Sequence, residues 1–223
     1  MTSLAKLVYV NNRGDDASYI TAENKILTLA YENLEEIPLN LVYNFGSSVS
    51  TLDISHNQFR CLDFLTQFDN LTSLILDHNV VDSSTAFPSM PSLRLLWLNH
   101  NKVASLYPFI RNLHNSCPNL RYLSLMGNTA APSYLNGGSF YEYLQYRLFV
   151  ISWFPDLKHL DDRAVTSDQV DEALRLFKRP LLDRFSLTSS YSPYLQFLQN
   201  KITSFMASVS FLSSTNNTRN SIV

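Results

Sequence analysis

Asparagine stands at positions 57, 79 and 101, preceded each time by histidine, at 56, 78 and 100. The step is 22 residues in both intervals. Aligned on these asparagines, the chain repeats L-x-x-L-x-L-x-x-N. The copies are Val49, Leu52, Ile54, Asn57; Leu71, Leu74, Leu76, Asn79; and Leu93, Leu96, Leu98, Asn101, followed after a longer step by Leu120, Leu123, Leu125, Asn128. A fixed period of this length restricts the fold more than any local propensity. One copy cannot bury its apolar face alone, so neighbours must stack and share a core.

The pattern is the leucine-rich-repeat template, and it predicts an α/β solenoid. Short parallel strands line the concave face, and 3₁₀ turns or short helices form the outer side. Leu27, Leu29 and Leu34 fit a further copy in which Glu32 takes the asparagine place, and "LVYVNN" (Leu7, Tyr9, Asn12) reads as a strand covering the N-terminal end. Asn57, Asn79, Asn101 and Asn128 are expected to turn inward and bond backbone groups that would otherwise be buried unpaired. Pro88 and Pro91 oppose a long helix in the outer segment after Asn79. Phe109, Ile110 and Leu113 are spaced for a short helix in the next one. Further on, "FYEYLQYRLFVISWF" predicts an apolar helix, "PDLKHLDD" a last strand-like turn, and the T-x-x-Q capping box Thr166/Gln169 a final helix over 167–177. The expected division is an N-terminal strand cap over 1–23, repeats and a helical cap over 24–178, and a Ser/Thr-rich tail over 179–223.

Chemistry is hard to assemble from this chain. Net charge is −2 and there are five glycines, which argues against a nucleic-acid surface and against Gly-rich phosphate loops. The two cysteines, Cys61 and Cys117, lie far apart and read as reduced and buried. His56, His78 and His100 form a zinc set on paper. Stacked strands, however, lie about 5 Å apart and aim such side chains in parallel, whereas tetrahedral zinc needs them to converge. The column reads as scaffold. No nucleophile with a paired base and no hydrolase, metalloprotease, P-loop or dinucleotide motif is present. The expectation is a non-enzymatic protein without cofactor.

Binding is better supported. Side chains alternate along a strand, so the residues between the core leucines face the concave side. That places Ile75, Leu95, Trp97, Tyr122 and Met126 in one patch, with Asp53, Asp77, Arg94 and Arg121 flanking it. An aromatic and aliphatic cluster with a charged rim has the make-up of a protein-binding hot spot. Cover by the chain's own tail is the competing explanation of the patch. Stacking of RNA bases on it is a minor one, since no wider basic surface accompanies it.

The segment "YRLFVISWFPDLKHLDDRAVTSDQVDEA" resembles the leucine-rich-repeat C-terminal cap, through Tyr146, Arg147, Pro155, Leu157, Leu160, Asp161 and Val165. That cap is shared by the spliceosomal A-prime protein, a regulatory subunit of a protein phosphatase and several ciliary proteins. Within the group, "CPNLRYLSLMGNTAAPSYLNGGSFYEYLQYRLFVISWFPDLKHLDD" is similar to the leucine-rich melanocyte differentiation-associated family, and "LTLAYENLEEIP" is consistent with it. The resemblance covers residues 20–178. It implies an adaptor linked to pigment-cell differentiation and lysosome-related organelles, with a Rab-type small GTPase or a trafficking complex as partner. The rival it implies is a ribonucleoprotein scaffold like the spliceosomal A-prime protein.

Past Pro180, "SLTSSYSP" reads as a linker, and Leu195, Leu198, Ile202, Phe205, Val209 and Leu212 fall at helical spacing. Such a stripe suits a partner's groove, a membrane interface or this chain's own solenoid. Ser221-Ile222-Val223 fits the carboxylate pattern that adds as a strand to PDZ domains. With no secretory signal and no apolar run long enough to span a membrane, the expected compartment is the cytoplasm.

Overall fold

The computed structural model describes residues 8–10, 16–21, 25–133 and 137–177. The expected tail helix, the linker before it and the Ser221-Ile222-Val223 terminus lie outside the described residues. Nine strands form one sheet in chain order. They are β1 (Val8–Val10), β2 (Asp16–Thr21), β3 (Ile26–Thr28), β4 (Thr51–Asp53), β5 (Ser73–Ile75), β6 (Leu95–Trp97), β7 (Tyr122–Ser124), β8 (His159–Leu160) and β9 (Arg163–Ala164). From β3 to β8 every pairing is parallel. The outer pairings are antiparallel: β1 with β2, β2 with β3, and β8 with β9.

The central residues of β3 to β7, Leu27, Leu52, Leu74, Leu96 and Leu123, and Leu160 of β8 sit in one register row and are buried. The next apolar positions, Leu29, Ile54, Leu76, Leu98 and Leu125, are buried in the same core. Four outer segments close that core. Helix α1 (Leu39–Phe45), a 3₁₀ turn over Asp63–Gln67 and helix α2 (Phe109–Ser116) lie on it, and the stretch between β5 and β6 contributes Phe87 and Met90 without a helix. α2 buries Phe109, Ile110 and Leu113, the three positions whose spacing predicts it. α1 has no counterpart in the sequence reading. It starts behind Pro38 and buries only Leu41 and Val42, leaving Leu39 and Tyr43 outside, so its apolar residues do not mark one face.

Helices α3 (Phe140–Trp153) and α4 (Ser167–Leu176) complete the C-terminal end. Each begins with a capping box, Ser139 with Glu142 and Thr166 with Gln169. Arg147 of α3 is buried and donates to the carbonyls of Leu160, Arg163 and Ala164, holding the β8–β9 hairpin whose backbone groups it faces. A planar guanidinium holds five N–H donors in a fixed fork and so spans acceptors on separate residues, where a lysine ammonium is a compact point charge.

The asparagine ladder forms as the repeat predicts. Asn101 Nδ2 donates to the carbonyls of Leu76, Leu98 and Asn99, and its Oδ1 accepts from Val81 N–H. Asn57 and Asn79 repeat the scheme, and Asn128 bonds Leu98, Leu125 and Val103. Both cysteines are free, and Cys117 is buried, with its thiol pushed up to about 12 by that burial. Cys61, expected inside, is exposed: it follows the strand turn on an outward position of the second repeat.

Candidate functional site

The concave surface is set by two register rows. One runs Ile26, Thr51, Ser73, Leu95, Tyr122, His159 and the other Thr28, Asp53, Ile75, Trp97, Ser124. Apart from half-buried Ile26, the N-terminal half is small and polar. On the C-terminal half Trp97, Tyr122 and Met126 are 41%, 42% and 41% exposed, beside half-buried Ile75 and Leu95. Tyr122 stacks on His159 with ring centroids 5.5 Å apart and planes 16° from parallel. His159 therefore belongs to the patch although the sequence reading leaves it out. Aligning Leu160 with Leu123 would have placed it there, one residue before the buried leucine.

The flanking polar residues are engaged with the scaffold. Asp77 accepts from Asn99 N–H at 2.8 Å and from Asn99 Nδ2 at 3.1 Å. Asn99 Oδ1 in turn accepts from the Ser124 hydroxyl and Met126 N–H. Asp53 accepts from Ser55 N–H. Arg94 donates to the carbonyls of Pro91, Leu93 and Asn119, and Arg121 to Asp156, at its carbonyl and its carboxylate. The polar chain under the patch fixes the strand ends, so the aromatic side chains project from a rigid floor. Rigid apolar anchors lose little freedom when a partner covers them.

The histidine column takes a definite form. His56 and His78 rings are 4.1 Å apart and His78 and His100 4.4 Å, each pair within 14° of parallel, and Tyr31 stacks on His56 at 4.0 Å. All four residues have positive φ, between 53° and 65°. At the three histidines the strand must swing outward so that the following asparagine can point its amide into the core. Histidine is among the residues that tolerate this left-handed turn. Gly127, at φ 74°, holds the same place in the next repeat, and a Cβ on it would run into the His100 ring. Burial and the two neighbouring imidazoles lower the His78 pKa, with Asp77 opposing them. Among the described residues no group of three or more His, Cys, Asp or Glu is arranged to hold a metal ion.

Comparison with known proteins bears on the fold. No protein-family model matches the chain. The Drosophila melanogaster SNF/U2A' complex contains a chain of like fold, with TM-score 0.56 at 21% identity, covering 82% of this chain and 94% of that one. The chain has the fold of a leucine-rich-repeat solenoid. This repeat protein is 39% identical over 117 residues to the leucine-rich melanocyte differentiation-associated protein of Homo sapiens, covering 52% of this chain and 59% of the human one. It is also 28% identical over 142 residues to the U2 small nuclear ribonucleoprotein A' of Candida albicans, covering 62% of this chain and 55% of that protein. The repeat protein thus spans less than two thirds of either curated relative. Among its described residues no helix is long and apolar enough to cross a membrane.

Proposed function

We propose that this protein is a non-enzymatic adaptor that holds a protein partner on its concave face, with Trp97 as the central anchor. The observation that carries this reading is the exposure of Trp97, Tyr122 and Met126 together on strand and strand-end positions that need no large apolar side chain. Ile75 and Leu95 extend the patch, and His159 flanks Tyr122. Asp53, Asp77, Arg94 and Arg121 frame it as a fixed polar border. Tight, desolvated aromatic anchors of this type carry most of the energy of protein interfaces.

Similarity to a protein named for melanocyte differentiation supports a role in pigment-cell differentiation, and we extend that reading to organelle trafficking in the cytoplasm. A Rab-type small GTPase or a trafficking complex is the first partner class to test, and a PDZ domain at Ser221-Ile222-Val223 a further one. The second reading, a ribonucleoprotein scaffold, draws on the likeness to U2A' proteins. Arg94 and Arg121 weigh against a base-stacking surface, because both guanidinium groups are bonded to the protein itself.

Affinity purification from cells, comparing wild type with an Ile75→Asp/Trp97→Ala double variant, tests the proposal. Loss of a set of trafficking proteins in the variant supports it, and recovery of spliceosomal proteins that are lost in the variant favours the second reading. An unchanged set would refute the concave-face site.

A further inference from the structure

The first two repeats carry a second apolar surface, across the core from the concave face. Leu41 and Val42 of α1 and Leu65 of the 3₁₀ turn enter the same core as Leu27 and Leu52, so both segments lie on the outer side. Between them runs a groove of about 810 Å³, lined by Ile37, Leu39, Val42, Tyr43, Cys61 and Phe64. At one end the walls meet: a Cβ on Gly46, at the end of α1, would strike the Gln67 carbonyl. The far wall is held by Phe64, whose ring packs at 5.4 Å from Phe59 and 6.4 Å from Phe68.

Leu39 and Tyr43 are 83% and 91% exposed, the most exposed large apolar side chains among the described residues. They stand one helical turn apart, four residues along α1, and so form a ridge on one side of the groove. A helix that buries only two residues while presenting such a ridge is built to receive another element.

We propose that the occupant is residues 195–212 of this same chain. Six of their apolar residues, Leu195, Leu198, Ile202, Phe205, Val209 and Leu212, are spaced 3, 4, 3, 4 and 3 apart, with Phe197, Met206 and Phe211 off that line; the line is the seam of a helix that packs along a partner ridge. Such a seam is too narrow to be buried on all sides and needs one apolar strip opposite it. Charge agrees, since Glu36 and Asp63 also line the groove and residues 195–212 contain Lys201 and no acidic side chain. Reach agrees as well. Four strand spacings from β8 back to β4 amount to about 19 Å, and the 17 residues 178–194 span roughly 20–25 Å as a flexible chain. Docking here leaves the concave patch open, so the two surfaces work independently.

Cys61 supplies the test, because it is exposed in the groove while Cys117 is buried. In the full chain, Leu198→Cys and Phe205→Cys place a thiol on the seam, and Asn200→Cys places one on the opposite side. Oxidation with copper–phenanthroline and air, followed by peptide mapping, is expected to give an intrachain disulfide to Cys61 for the two seam positions. Asn200→Cys should react roughly tenfold more slowly or less, and Tyr43→Asp should slow the Leu198→Cys product by a similar factor, the loss of effective concentration that undocking brings. Equal rates at all three positions, products only between a heavy-isotope and a light copy, or no Cys61 product would each overturn the proposal. None of these results bears on partner capture by Trp97, which is read separately.

Discussion

The Tyr146 hydroxyl donates to Asp161 Oδ2 at 2.9 Å, while Asp161 Oδ1 accepts from Leu125 N–H at 2.9 Å. One carboxylate thus ties the cap helix to the last full repeat. Burial pushes this carboxyl above the usual 3.8, against the pull of both hydrogen bonds and of Arg147. An acid raised by folding contributes stability that is complete below its unfolded pKa and is lost as pH rises through the folded value. Asp161→Asn keeps an acceptor for Leu125 and suits the positive φ of 57°. It should therefore flatten the dependence of stability on pH from about pH 4 upward. Urea denaturation across that range is the check, and an unchanged slope would place the titration on another group.

Asn101→Ala removes three donor contacts and one acceptor from a buried site. The expected loss is about 1–3 kcal/mol, because Val81 N–H and the carbonyls of Leu76 and Leu98 are left without that partner. Asn101→Asp should be no better, since a carboxylate would face those carbonyls. Chemical denaturation of the two variants measures both, and wild-type stability in either would contradict the ladder.

Gly127→Ala should cost about 1–2 kcal/mol for its left-handed backbone alone, and more while the His100 ring blocks the new methyl. In a His100→Asn background the second part should vanish, so the two substitutions would couple rather than add. A double-mutant cycle by thermal or urea unfolding reads the coupling directly. Strict additivity would mean that the ring moves aside freely.

Trp97→Ala should weaken partner binding by about 2 kcal/mol or more, as truncation of a central anchor does, while unfolding midpoints stay close to wild type. Titration calorimetry with the captured partner, alongside denaturation of the free protein, separates the two effects.

The repeat was legible because its core is written in apolar side chains at fixed spacing, and the buried asparagines have no substitute for their combination of donor and acceptor. Helix α4 was legible through Thr166 and Gln169 for the same kind of reason, a backbone need met by particular side chains. The equivalent box at Ser139 and Glu142 is just as visible in the sequence and marks the start of α3. Helix α1 was not legible, since Leu39 and Tyr43 face outward and break the apolar periodicity. In the candidate site the aromatic patch followed from strand alternation. The engagement of Asp77 with Asn99, and of Arg121 with Asp156, did not, because a charged residue's sequence position does not say whether a backbone group or a neighbouring charge will reach it first. The histidines are legible as a column but not as a conformational necessity, which only the backbone angle reveals.

A stack of parallel strands has no natural length; nothing in one repeat tells the next to stop. Here the stop is written in polarity. β2 runs against β3 and β9 against β8, so neither pairing that flanks the parallel stack has the direction that another repeat would continue. Among the described residues the parallel stack is therefore bounded on both sides by a reversed strand. A duplicated 22-residue unit inserted before β6 would lengthen the protein by one strand spacing, about 4.8 Å, and carry both ends along unchanged. The parallel stack behaves as a ruler framed by two reversed strands, whose graduations can be added or removed without redesigning the frame.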